Sequence, residues 1–287
     1  MADFFSGDTL DQLKNEAKKR CNGFLILFDI KDSTARKREY KDRWVAQTGA
    51  LYDAFTAMCV DVSRELSLEL LNIKFRGDGL MAFFKSSDAS RKAADERAPS
   101  EASLSLLRSA LEFRSEVHIG RADELGDMRL KTVLTYLTGI YPVSIKGDGD
   151  SGHGQGYDVL GRGIDFAHRL ETFGDASHIV VNDWLYESLP MVEESVEVIW
   201  QEHNRLRLDG IRCKKRIKGW EQPEPFWLLT DQNMIRETIE YLPASPYEND
   251  VRAELFRYYI AKSDQIGASE APLEADNVRK KWGKGHE

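Results

Sequence analysis

Cysteine is scarce in this chain, with only Cys21, Cys59 and Cys213 among 287 residues. An odd, widely spaced set suggests neither a disulfide framework nor a zinc site, and it fits a reducing cytoplasm. Long apolar runs are missing as well. The longest, residues 23–28 and 80–84, fall well short of the roughly eighteen residues that a bilayer span needs. The opening stretch MADFFSGDTLDQLKNEAKKR carries acids and no apolar h-region, so it does not read as a secretory signal. Positive charge is outnumbered, 40 Lys and Arg against 48 Asp and Glu for a formal −8, which argues against a general nucleic-acid binder. Internal repeats are absent too. One basic cluster, residues 205–218 (RLRLDGIRCKKRIK), suits a polyphosphate as readily as a polynucleotide. An acidic protein with an anionic substrate must supply local cations, metal ions or both.

What is present is enough for a core: 41% hydrophobic and 31% charged residues. Residues 9–20 have Leu10, Leu13 and Ala17 on one helical face. Residues 23–30 (GFLILFDI) form a short apolar run ending near an acid, the pattern of a buried strand. A long helix is expected over residues 36–65, with Trp44, Leu51, Phe55 and Met58 on one side. Residues 68–76 and 80–85 are β-rich and joined by Gly77, Asp78 and Gly79, a strong hairpin signal.

A polar loop over 85–100 leads to a second helix at 100–118 and a strand at 128–145. The Gly- and Asp-rich stretch 146–156 reads as a loop, 160–172 as a helix, 178–181 as a strand and 184–189 as a short helix. Strands at 196–200, 204–208 and 225–230 follow. The organisation expected is an N-terminal helix within 1–22, one catalytic unit over 23–231, and a helical extension with a flexible tail over 232–287. Strand, helix, hairpin, helix, strand is the order of an α+β fold, a ferredoxin-like antiparallel sheet with both helices on one face.

Asp29 ends the first buried strand and Asp78 occupies the hairpin tip. If those strands pair, two carboxylates distant in sequence meet at one sheet end, where they repel unless protonated or bridged by a cation. Hard ions such as Mg2+ or Mn2+ suit such oxygen ligands and keep room for substrate phosphates. Lys31, Asp32, Ser33 and Thr34 lead straight into the long helix, so their N–H groups are candidates to receive an anion. Each residue also has an ordinary structural reading, Asp78 in a turn and Ser33 as an N-cap. Their joint occurrence at adjoining strand ends favours a site.

Four segments then carry a resemblance: FDIKDST (28–34), KFRGDGLMAFF (74–84), YDVLGRGIDFAHRLE (157–171) and IKGWEQPEPFWL (217–228). In this order they resemble the signature segments of class III nucleotidyl cyclases, over about residues 23–230. The resemblance implies a soluble homodimer whose composite sites turn a nucleoside triphosphate into a 3′,5′-cyclic monophosphate and pyrophosphate. It implies that Asp29, Asp78 and the Ile30 carbonyl bind two ions, Mn2+ or Mg2+, and that Lys74 and Asp158 recognise the base. It places Arg169 at the charge developing on the α-phosphate, Asp165 at the ribose and Lys218 at the terminal phosphates.

Two departures stand out. Asp165 replaces a customary asparagine, adding an anion that needs a compensating cation or hydroxyl donor. The strand before Asp158 reads VLTYLTGIYPVSI rather than Gly-x-His-x-Gly. Arg76 occupies a position that is usually apolar, and is either an outward hairpin charge or a third base contact.

These features resemble the pyrimidine cyclases of bacterial antiphage (Pycsar) defence, which implies UTP first, CTP second and ATP close behind, with the product acting on a separate effector. Nucleic acid and membrane are not expected partners. The rival readings are a catalytically silent nucleotide sensor, and a metal-dependent nuclease or diguanylate-type polymerase. Retained acids weigh against the first, and the RGDGL tip, which is no GGDEF, against the last.

Overall fold

The computed structural model of the chain describes residues 20–86, 100–120, 128–145, 156–193, 195–200, 204–231, 234, 251, 254–255, 257–258 and 261. Strand β1 (Cys21–Ile30) is apolar almost throughout, and both of its faces are covered. It is followed by α1 (Ser33–Tyr40), α2 (Asp42–Glu65), β2 (Glu69–Arg76), β3 (Gly79–Lys85), α3 (Ser100–Ser115) and β4 (Leu130–Ile145). These strands lie in the order β2-β3-β1-β4, each antiparallel to its neighbours. The expected ferredoxin-like α+β arrangement is what the chain adopts.

Alternation along β1 explains the layers. Phe24, Ile26, Phe28 and Ile30 point to one face and pack with Leu51, Phe55 and Cys59 of α2 and Leu106, Leu107 and Ala110 of α3. Leu25 and Leu27 point to the other face, against α4 (Arg162–Leu170) through Ile164, Ala167 and Leu170. Burying each of these large side chains contributes about 1.5–3 kcal/mol, so β1 is heavily anchored on both faces. Beyond β4 the sheet continues through one parallel pairing with β6 (Ile179–Asn182), then β10 (Glu224–Thr230), β9 (Asn204–Lys215), β8 (Ser195–Trp200) and β7 (Met191–Val192). A short helix, α5 (Asp183–Tyr186), links β6 to β7.

The structure corrects several expectations. The single helix over 36–65 is two, broken at Lys41, whose φ is 48°. The reason is burial: α2 buries a stripe from Trp44 to Val62, whereas α1 (STARKREY) buries only Ser33 and is free to leave the axis. Residues 156–160 form β5, paired with β4 through Val143 opposite Asp158. Leu160 therefore ends a strand rather than opening a helix. Strand β9 runs to Lys215, seven residues beyond the end expected at Leu208.

The helix expected at 9–20 lies outside the described residues except for Arg20, as do most of the loops at 85–100 and 146–156 and most of the C-terminal extension. Part of that extension is packed: Val251 and Leu255 are buried with Leu25 and Leu27 on the α4 side of the sheet, and the Tyr258 hydroxyl donates to Asp209 across 2.7 Å. No helix among the described residues is long and apolar enough to cross a membrane.

Candidate active site

Pairing of β1 with β3 sets Asp29 opposite Gly79, and the Ile30 N–H donates to the Asp78 carbonyl at 3.2 Å. Both acids therefore meet at one end of the sheet, as their sequence positions imply. The tip is braced from three sides. The Ser33 hydroxyl donates to the Asp78 carboxylate, Lys37 lies 3.6 Å from that carboxylate, and the Tyr52 hydroxyl of α2 donates to the Gly77 carbonyl. Tyr52 also stacks on Phe75, with ring centroids 4.2 Å apart.

Burial pushes the Asp29 carboxyl above its usual range, and the negative charges of Asp78 and Glu171 add to this. Lys131, across the β1–β4 pair and 2.8 Å from Asp29, pulls the other way. Asp29, Ile30, Asp32, Ser33, Thr34, Arg38 and Lys131 line an open cleft of about 460 Å³. Asp32 sits just before α1 in the left-handed region, with φ 57° and no side-chain cap. The first intrahelical bond runs from Arg36 to the Asp32 carbonyl, so helix geometry leaves the N–H groups of Ser33, Thr34 and Ala35 for another acceptor.

Lys31 is placed differently from its companions. Its N–H donates to the Arg129 carbonyl at 2.9 Å, and its ammonium lies 3.0 and 3.2 Å from the two oxygens of Asp175. Burial would raise the Asp175 carboxyl, but Lys31, His178 and the Ala176 N–H together hold it below its usual range. Neither polar group of Lys31 faces the cleft, which runs against its expected role at phosphate.

A second cluster forms around α4. Lys74 lies 3.0 Å from Asp158, so β2 and β5 bring the two expected base-recognition residues together. Arg76, two residues along β2, contacts His168 of α4 at 3.2 Å, and His168 lies 3.5 Å from Glu171. Arg169 lies 3.6 Å from Asp165 one turn earlier, which supplies the cation that the extra anion requires. Lys218 is exposed in the turn between β9 and β10. Among the described contacts, none joins Lys74, Asp158, Asp165, Arg169 or Lys218 to Asp29 or Asp78. The acids and the α4 residues thus form two groups without direct contact among those residues, although the Glu171 charge reaches Asp29.

Sequence reasoning missed Lys131, Arg38, His168 and Asp175. The alternation of β4 could have flagged Lys131 as a charge entering a buried strand. No local signal marks Asp175 or the Arg76 contact of His168, because those partners are distant in sequence.

The donor set can be tested against divalent ions. Among the described residues no group of three or more His, Cys, Asp or Glu side chains could hold a metal. Two carboxylates and a carbonyl at adjoining strand tips remain. That is a poor resident cage but fits an ion that keeps water and substrate oxygens as ligands.

No family model and no curated protein matches the chain. Solved structures do. The guanylyl cyclase Cya2 superposes with a TM-score of 0.51 at 12% identity, over 74% of this chain and 92% of that one. The adenylyl cyclase CyaB from P. aeruginosa gives 0.51 at 17% identity, over 74% and 95%. The guanylate cyclase domain of RhGC from Catenaria anguillulae, solved with GTP, gives 0.50 at 12% identity, over 73% and 96%. The fold is therefore that of nucleotidyl cyclase catalytic domains.

Proposed function

We propose that the protein is a metal-dependent nucleotidyl cyclase acting as a homodimer on a pyrimidine nucleoside triphosphate. The observation that carries this reading is the meeting of Asp29 and Asp78 at adjoining strand tips, beside helix N–H groups suited to phosphate. That no described contact joins Lys74, Asp158, Asp165, Arg169 or Lys218 to Asp29 or Asp78 supports a composite site. A head-to-tail partner would bring the α4 cluster of one chain onto the acids of the other, twice per dimer.

Asp29, Asp78 and the Ile30 carbonyl would hold Mg2+ or Mn2+, which when bound neutralises the triphosphate and lowers the pKa of the ribose 3′-hydroxyl. The N–H groups of Ser33, Thr34 and Ala35 bind phosphate oxygens. Lys131 and Arg38 line the same cleft and add positive charge there. In the partner, Arg169 stabilises charge developing on the α-phosphate, Asp165 accepts from a ribose hydroxyl, and Lys218 meets the terminal phosphates. The 3′-hydroxyl gives its proton to solvent, and its oxygen bonds to the α-phosphorus as the bond from that phosphorus to the pyrophosphate oxygen breaks.

UTP ranks first, CTP next and ATP behind. Asp158 accepts the N–H of uracil while Lys74 and Arg76 donate to its flanking carbonyls. Lys74 and Arg76 share one face of β2, which supports the third contact. By the likeness to antiphage pyrimidine cyclases, the cyclic product serves as a messenger for a separate effector. Incubating the purified protein with Mn2+ and each NTP in turn, with products resolved by mass, tests the reading. A cyclic monophosphate and pyrophosphate are expected. Dinucleotide products would mark a polymerase, and binding without turnover a sensor.

A further inference from the structure

The β1–α1 loop carries the acids' end of the sheet, and one side chain in it turns away from the cleft. Lys31 follows Ile30 directly and reaches Asp175, 144 positions later, with both of its carboxylate oxygens within 3.2 Å. The two side chains are only 13% and 12% exposed. A shielded pair of this kind holds its geometry far better than a surface one.

Asp175 is itself fixed. Its carboxylate accepts the Ala176 N–H at 2.6 Å, and Arg114 of α3 donates to the carbonyls of Ala176 and His178. Asp175 lies just beyond the single turn Glu171–Phe173 that continues α4, the helix carrying Asp165 and Arg169. The pair therefore bolts the turn that leaves the Asp29–Ile30 end of β1 to the foot of the helix that serves the other composite site.

We propose that Lys31 and Asp175 are a positioning pair, which sets the Asp29–Ile30 end of β1 for cation binding and ties it to α4. This rests on the cyclase reading. Lys31 acts through the loop rather than on the triphosphate, so its loss registers in metal affinity and turnover rather than in nucleotide affinity.

The test uses the whole chain with Lys31→Met, Asp175→Asn and Lys31→Arg. Mn2+ affinity of the nucleotide-free protein is read by electron paramagnetic resonance, and kcat and KM with the accepted NTP. Lys31→Met and Asp175→Asn should each weaken Mn2+ binding by about fivefold and cut kcat about tenfold, with KM within about twofold. Lys31→Arg, which keeps a cation on a similar arm, should recover most of both. A raised KM with unchanged kcat and Mn2+ affinity would make Lys31 a phosphate ligand and overturn the proposal. Unaltered Mn2+ affinity would overturn it too, and so would unfolding of both variants by circular dichroism. Asp29→Ala, run in parallel, separates the levels. Its inactivity beside normal Lys31→Met sinks the pair alone, whereas its full activity sinks the metal assignment beneath.

Discussion

The Ile30 N–H and the Asp78 carbonyl are joined at 3.2 Å, and this one bond closes the hairpin tip onto the end of β1. It puts two acids 49 positions apart in sequence at one sheet end. Asp29→Ala and Asp78→Ala should each lower kcat at least about a hundredfold, the scale of losing a principal charge-stabilising group. Circular dichroism should stay native, because neither carboxylate lies in the apolar core. Near-normal turnover in either variant would refute the assignment.

Much of this end was legible beforehand, because the signals are local. An apolar run ending in Asp29 and a Gly-Asp-Gly turn between β-rich stretches specify strand, hairpin and acid by short-range rules. The ferredoxin-like order followed from the succession of elements. What escaped depends on partners far along the chain. The break at Lys41 comes from α1 having no buried stripe, visible only once the sheet beneath is known. Strand β5 escaped because its five residues begin with Gly156, are followed by Gly161 and are strand only by pairing with β4. The place of Lys31 ahead of a helix makes its N–H a candidate for phosphate, and nothing near it in sequence announces Asp175.

On the proposed reading, base choice depends on the second cluster. Replacing Lys74 or Asp158 with alanine removes one side of a 3.0 Å pair and should cost about 1–3 kcal/mol in kcat/KM, roughly a tenfold to hundredfold loss. Arg76→Ala should leave catalysis of the preferred NTP within about tenfold while shifting the UTP-to-CTP ratio. Competition assays with paired NTPs measure this. An unchanged ratio would place Arg76 outside the base pocket and leave it as a partner of His168.

Tyr52 offers a finer probe. Its hydroxyl donates to the Gly77 carbonyl and its ring stacks on Phe75, so Tyr52→Phe keeps the ring and deletes only the bond. Stability should fall by about 0.5–1.5 kcal/mol in urea titration. If the bond also steadies Asp78, the Mn2+ concentration for half-maximal activity should rise. A stability loss with no shift in that concentration would confine Tyr52 to packing.

The β1–β3 pairing can be tested at its far end. A Cβ on Gly23 would run into the carbonyl oxygen of Phe84 and against the ring of Phe83. The first of these is backbone and cannot swing aside. Gly23→Ala should therefore destabilise by about 2 kcal/mol or more, read as a lower urea midpoint. A wild-type midpoint would mean that the two strands separate there at little cost.

Acid titration isolates Asp175. Its folded pKa lies below the unfolded value of 3.8, so its contribution is complete above that value and disappears as pH falls through the folded pKa. Urea midpoints taken from pH 5 downwards should drop in that low window, and Asp175→Asn should flatten the drop. At neutral pH the same change strands the Lys31 ammonium in a shielded position and should cost about 3 kcal/mol. Asp29 acts in the opposite sense. Its pKa is raised from 3.8, so its contribution is present below 3.8 and is lost as pH rises through the folded value. Measuring Asp175→Asn in an Asp29→Asn background separates the two. A pH profile still as steep in the double variant would show that neither carboxylate sets acid stability.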